Sequence, residues 1–199
     1  MSKPEVFIIG SLDFDEEEKH REGKMIFRSL GMSGKDPIYH YIRTAAELEH
    51  FIGVFRDSDY RYLHISCHCN KSGVFTTLEN IPTQRFAEMV GPALDRKRLF
   101  LSTCQASTLA MAEAVFAEGR CTSLTGPVHT ICFDDSVILW TSFYHLMFKA
   151  NEKSMTHNQI KQTLAKSALL VGKKMNFFTK SKGRTEKTVL PTQAPSLIS

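Results

Sequence analysis

Short apolar runs that stop abruptly at polar residues recur along this chain: EVFIIGSL at 5–12, PIYHYIRT at 37–44, YRYLHISCHC at 60–69, KRLFLST at 97–103 and CTSLTG at 121–126. Runs of this length, apolar almost throughout and followed by small or polar residues, predict buried strands that empty into loops. Within 60–69, alternation sends Leu63, Ile65 and Cys67 to one face and His64, Ser66 and His68 to the other. A second, shorter extended piece at Val74–Leu78 follows the turn at Gly73 and predicts one arm of a small hairpin beyond the sheet edge.

The intervening stretches carry apolar residues at steps of three and four, which predicts helices. Phe14–Leu30 has acids at its front and basic residues later, as the helix dipole favours, with Phe14, Met25, Phe27 and Leu30 as its apolar side chains. Thr44 followed by Glu47 is a capping box that opens a helix carrying Leu48, Phe51, Ile52 and Phe55. Pro82 opens a third helix, with Phe86, Met89 and Val90 turned inward. Thr108–Glu118 predicts another, closed by Gly119. Asp134 or Asp135 caps a helix through Trp140, Phe143, Tyr144 and Met147, and Thr156 caps the last, with Ile160, Leu164, Ala168, Val171 and Met175 on one stripe. Strand and helix alternate throughout, so the expected class is α/β: a mostly parallel central sheet with helices on both faces, a three-layer sandwich.

Length and charge then narrow the organisation. The 199 residues suit one domain with a substantial core, and no repeat or linker divides them. Of the net charge of +4, Gly172–Ser199 supplies +5 from six Lys/Arg and one acid, leaving −1 for the rest. That balance gives no nucleic-acid face within the core and puts the basic excess in a tail. Residues 1–178 form the expected domain. Residues 179–199, basic and then rich in Pro, Ser and Thr, are expected to be disordered. No apolar run approaches the length of a membrane span. Met1–Gly10 is a poor signal peptide, and five cysteines is an odd number for a disulfide framework. The expected setting is therefore cytoplasmic, with reduced thiols.

Chemistry concentrates at two strand ends. Cys104 follows a buried strand and precedes small residues and a helix start, where a thiolate is favoured. His68 ends the preceding core strand, one hairpin and one helix earlier. A thiol and an imidazole on neighbouring strand ends are the parts of a cysteine nucleophile and its base. The alternative for each alone is a buried structural residue. A metal at His64, Cys67, His68 and Cys69 is disfavoured, because strand neighbours face opposite ways and no C-x-x-C is present. No glycine-rich phosphate loop follows the first strand, and Cys104 does not begin a C-x5-R loop, since position 110 is Ala. No cofactor is implied. Asp134 and Asp135 either cap their helix or line the pocket for the substrate residue before the cut.

The segments LHISCHCNKSG, KRLFLSTCQAS and SLTGPVHTICFDDSVILWTSFYHLMF, in that order and spacing, together resemble a CHAT-type peptidase domain, in the fold group of caspases, separase and gingipains. The resemblance covers roughly residues 60–170 and implies a caspase-like sandwich and a cysteine endopeptidase with His68 and Cys104 as the dyad. It further implies an oxyanion hole from backbone N–H groups at Cys69 and Cys104. Cys69 stands where the family has glycine, and the Q-A-C-x-G signature of true caspases is absent. The implied partners are a protein substrate and a separate regulatory protein. The competing expectation is a caspase-like binding or scaffold module without turnover.

Overall fold

The computed structural model of the chain describes residues 3–19, 21–70, 72–102 and 107–192. Five strands lie parallel: β1 (Lys3–Gly10), β2 (Ile38–Tyr41), β3 (Tyr60–Ser66), β7 (Arg98–Leu101) and β8 (Ser123–Pro127). Two more, β9 (Met175–Ser181) and β10 (Arg184–Leu190), add antiparallel at the β8 edge. The seven-stranded order is β10-β9-β8-β7-β3-β1-β2. A separate small sheet is formed by β4 (His68–Asn70), β5 (Gly73–Phe75) and β6 (Asn80–Pro82), all antiparallel.

Six helices among the described residues cover both faces. On one side are α2 (Ala45–Asp57), α3 (Thr83–Val90) and α4 (Leu109–Glu118), joined to the sheet through Ile52, Phe55, Phe86, Val115, Phe116, Leu63 and Leu99. On the other are α1 (Glu22–Met32), α5 (Phe133–Ala150) and α6 (His157–Leu170), packed through Ile26, Leu30, Trp140, Phe143, Leu164, Ile8 and Phe100. The molecule is a three-layer α/β sandwich. No helix among the described residues is long and apolar enough to cross a membrane.

The caps follow the sequence closely. Thr44 and Glu47 form the expected capping box at α2, and Thr156 and Gln159 form another at α6. The alternation in β3 also holds. Leu63, Ile65 and Cys67 enter the cluster under α2, α3 and α4, while His64 meets Trp140 of α5 and Ser66 reaches α1.

Four expectations are corrected. The first helix starts at Glu22, because residues 14–19 form turns; Phe14 and Met25 are exposed, and the buried stripe is Glu22, Ile26 and Leu30. Residues 60–69 are not one strand: the chain leaves the central sheet at Ser66, bends at Cys67 and starts β4 at His68. Met175 opens β9 rather than closing the last helix, which ends at Leu170. The tail expected to be disordered from 179 continues as a hairpin to Leu190, because Phe177, Phe178 and Leu190 bury apolar surface and the β8 edge supplies backbone partners. Exposed Lys180 and Lys187 give this segment the composition of a solvated tail.

Candidate functional site

Strand order reverses between β1 and β3: the chain runs from β1 outward to β2, then returns to the other side of β1. At such a switch point the loops from the carboxyl ends splay apart and leave a crevice. A pocket of about 450 Å³ opens there, lined by Glu22, Cys67, His68, Ser102, Cys132 and Phe133 among others. These residues come from α1 after β1, the bend after β3, the end of β7 and the loop after β8, so four separate chain segments converge on it.

His68 stands at the mouth, half-buried, with Nε2 hydrogen-bonded to the Glu16 carboxylate and its ring edge-on to Phe133 at 5.7 Å between centroids. The segment that brings Glu16 is itself pinned. Glu17 accepts from Arg43 Nε at 2.7 Å and Nη2 at 2.6 Å and from Tyr41 Oη at 3.0 Å. The Arg43 hydrogen bond holds the Glu17 carboxyl below its ordinary range. Glu17 thus fixes the turn from which its neighbour Glu16 reaches the imidazole. Carboxylate–imidazole pairs of this kind set the tautomer and orientation of a ring that transfers protons.

The inner wall of the pocket holds a second carboxylate. Glu22 is only 3% exposed and accepts hydrogen bonds from three serines: Ser66 Oγ at 2.9 Å, Ser136 Oγ at 2.6 Å and Ser102 Oγ. Burial pushes its carboxyl up to about 7 against the opposing pull of those hydroxyls. The three serines belong to the ends of β3 and β7 and the first turns of α5, so one side chain ties three elements together.

Deeper on the same face, His64 is fully buried and shares a 2.9 Å hydrogen bond between Nδ1 and Tyr144 Oη. Its Nε2 has no hydrogen-bond partner among the described residues, and burial lowers its pKa to about 3. His64 is therefore a neutral core residue, well apart in chemistry from the solvent-reached His68.

The expected nucleophile, Cys104, lies outside the described residues, and with it the Cys104 half of the expected oxyanion hole. Its flanks are fixed at the same edge. Ser102 N donates to Ile65 O at 2.9 Å, and Ser107 donates from Oγ to Pro127 O at 2.6 Å while its carbonyl accepts from Asn176 Nδ2 at 2.7 Å. β7, which leads to this stretch, pairs directly with β3, which leads to His68. Cys69 sits in β4 opposite Val74, with its side chain buried against Cys67.

Asp134 and Asp135 do not cap α5. The helix begins at Phe133, with Cys132 at the N-cap, and both aspartates fall in its first turn, where they meet the positive end of the dipole. Asp135 pairs with Lys173 at 3.3 Å, and Asp134 lines a neighbouring groove with Met25, Val137 and Ile138 instead of the His68 pocket.

Sequence reasoning did not single out Glu16 or Glu22. Glu22 carried a signal, since it lies four and eight residues before the buried Ile26 and Leu30, on the helix stripe that faces the core. Glu16 carried none: it is one acid within an acidic turn. Strand alternation disfavours a metal only among His64, Cys67, His68 and Cys69. The fold adds Asp13 and Glu16 to His68 as one group of close donor atoms, and Cys132 with Asp134 and Asp135 as another.

No protein-family model matches this chain, and no curated protein matches it.

Proposed function

We propose that this protein is a cysteine endopeptidase of caspase-like architecture, working through Cys104 and His68 on a protein substrate. The observation that carries the reading is His68: a half-buried imidazole at the carboxyl edge of a parallel sheet, held by a carboxylate, facing a 450 Å³ pocket beside the strand that leads to Cys104. A ligand crevice at the switch point and a base oriented by an acid are what nucleophilic acyl transfer requires.

In this reading the Cys104 thiol loses its proton to His68 and attacks the scissile carbonyl. The tetrahedral oxyanion is met by backbone N–H groups at Cys69 and Cys104, each such donor typically contributing about 3–4 kcal/mol. His68 returns the proton to the leaving amine, giving an acyl-enzyme and the first product. Water, deprotonated by His68, then releases the second product and restores the thiol. Glu16 stabilises the imidazolium in both half-reactions. Access by a separate regulatory protein is part of the proposal, with Thr130 and Cys132 exposed where they border the pocket.

A second reading, a caspase-like binding module without turnover, is favoured by one feature. Cys69 carries a side chain, packed on Cys67, at the position where the resembled family has glycine beside its oxyanion donor.

Labelling with a peptidyl thiol-directed electrophile separates the two. The endopeptidase reading expects single-site modification at Cys104, slowed by about 100-fold or more in His68→Gln, and no partner cleavage by a folded Cys104→Ala variant. Uniform labelling of several cysteines, unaffected by His68→Gln, removes it in favour of the binding module.

A further inference from the structure

Cys67 and Cys69 bracket His68, and their sulfurs lie 3.8 Å apart. The contact joins the bend after β3 to the first small strand β4, so it spans the point where the chain leaves the central sheet. Residues two apart have Cα atoms at most about 7 Å from each other, the outer limit of a disulfide's reach. Closing the sulfurs to bonding distance needs a movement of about 1.8 Å. Cys67 lies between two ladders, the one between β1 and β3 that ends at Ser66 and the one between β4 and β5 that begins at His68.

Access is asymmetric. Both thiols are largely buried, at 8% and 9% exposure, yet Cys67 also lines the pocket that His68 faces. An oxidant entering the pocket meets Cys67, whose sulfur lies 3.8 Å from that of Cys69.

We propose that Cys67 and Cys69 form a reversible disulfide that moves His68 and switches the site off. The oxidant is a low-molecular-weight disulfide of the glutathione class. The Cys67 thiolate attacks one sulfur of that disulfide, releasing one thiol and leaving a mixed disulfide. The Cys69 thiolate then attacks the Cys67 sulfur and releases the second thiol. Two protein thiols lose two electrons and two protons, and the oxidant becomes two thiols. The new ring contains the whole backbone of His68, so its imidazole cannot keep both its place at the pocket and its bond to Glu16. Loss of function on oxidation rests on the proposed role of His68; formation of the disulfide does not.

The test uses the full chain treated with oxidised glutathione, then alkylated and digested with trypsin. Cleavage after Arg61 and Lys71 isolates both cysteines, and no others, in the peptide Tyr62–Lys71. The expected product is this peptide about 2 Da lighter and resistant to alkylation, restored by dithiothreitol, and absent in Cys67→Ser. Recovery of the peptide fully alkylated, or of either cysteine bonded elsewhere, overturns the proposal. In parallel, Cys104 labelling by the peptidyl electrophile is expected to fall about 100-fold on oxidation and to recover on reduction. The Cys67→Ser variant is expected to label at the same rate in both conditions. If the disulfide forms and Cys104 labelling is unchanged, the switch is overturned. If the disulfide forms and Cys104 never labels selectively, the dithiol stands and the peptidase reading falls.

Discussion

The two helical layers of this sandwich are built on different principles. Under α2, α3 and α4 the sheet is packed by Phe7, Ile52, Phe55, Phe86, Val115 and Leu99, a hydrocarbon core with thiols as its polar component. Under α1, α5 and α6 the same sheet carries buried Glu22, His64, Tyr144 and a set of serines within an aromatic cluster of Phe100, Trp140 and Phe143. Burying titratable groups is costly unless they are hydrogen-bonded, and evolution tolerates such cost where chemistry is done. The polar layer is also the layer that reaches the switch-point pocket, through Glu22, Ser102 and Ser136. The first layer touches one such group, His40 against Phe51, whose pKa burial lowers; the second buries Glu22 and His64 outright and so ties more of its stability to protonation.

The largest effects break the hydrocarbon core on each side. Phe86→Ala removes a fully buried ring from the first layer, and Phe100→Ala removes one from the second. Each is expected to cost about 3–5 kcal/mol by urea denaturation. The difference lies in pH. The Phe86→Ala loss is expected to be the same at pH 5 and pH 8. Phe100 pairs in register with His64, so its cavity lowers the barrier to hydrating that ring. The Phe100→Ala loss is therefore expected to be smaller at pH 5 than at pH 8. Equal losses in both variants at both pH values would erase the distinction between the layers.

A sharper test separates the two titrating groups. Glu22 is raised from 4.5 to about 7 in the fold, so its neutral form is the favoured one. The stability linked to it is complete below pH 4.5 and is lost as pH rises through 7, about 3 kcal/mol in all. His64 is lowered from 6.5 to about 3. Its share is complete above pH 6.5 and is lost as pH falls toward 3. Between pH 4.5 and 6.5 the two slopes are opposite and nearly equal, and they hide each other. Glu22→Gln keeps the carbonyl acceptor and cannot ionise. Its stability relative to wild type is expected to rise by about 1.4 kcal/mol per pH unit from 4.5 to 7. His64→Asn is expected to fall relative to wild type by a similar amount per unit over 3 to 6.5. A flat difference for Glu22→Gln would mean that the carboxyl titrates normally and that burial does not outweigh the pull of the three serines.

This division of labour was half visible in the amino-acid order. The central strands β1, β3 and β7 announced themselves because both their faces are covered, so they read as largely apolar runs, and Thr44 with Glu47 marked a helix start by local chemistry alone. His68 was legible as a residue at a strand end, although not as part of a second sheet, since the bend at Cys67 leaves no glycine or proline as a signal. The hairpin of β9 and β10 was illegible for another reason. Lys187 is exposed on the edge strand β10, where charge prevents aggregation, and Lys180 is exposed on β9; together they resemble the composition of a disordered tail. Glu16 and Glu22 depend on tertiary placement: an acidic residue in a turn and one at a helix start are commonplace until the fold brings an imidazole or three hydroxyls to them.

The smallest effects provide the control for the whole comparison. α2 and α6 lie on opposite faces, and each opens on a complete capping box, Thr44 with Glu47 and Thr156 with Gln159. The backbone N–H groups satisfied are the same kind, at 3.2 Å and 3.3 Å from the threonine hydroxyls. Thr44→Ala and Thr156→Ala are each expected to cost about 1 kcal/mol. The partner in α2 is a carboxylate whose hydrogen bonds from Arg43 and Thr44 hold it below its ordinary range, while the partner in α6 is an amide that does not ionise. The Thr44→Ala loss is therefore expected to shrink as pH falls below 4.5, where Glu47 takes a proton, whereas the Thr156→Ala loss stays constant. Denaturation of both variants at pH 3.5 and pH 7 measures this. Equal behaviour of the two caps at neutral pH assigns the contrast between layers to the buried groups beneath the helices, because the helix ends then contribute alike. A twofold or larger disparity at neutral pH would place part of that contrast in the helices themselves.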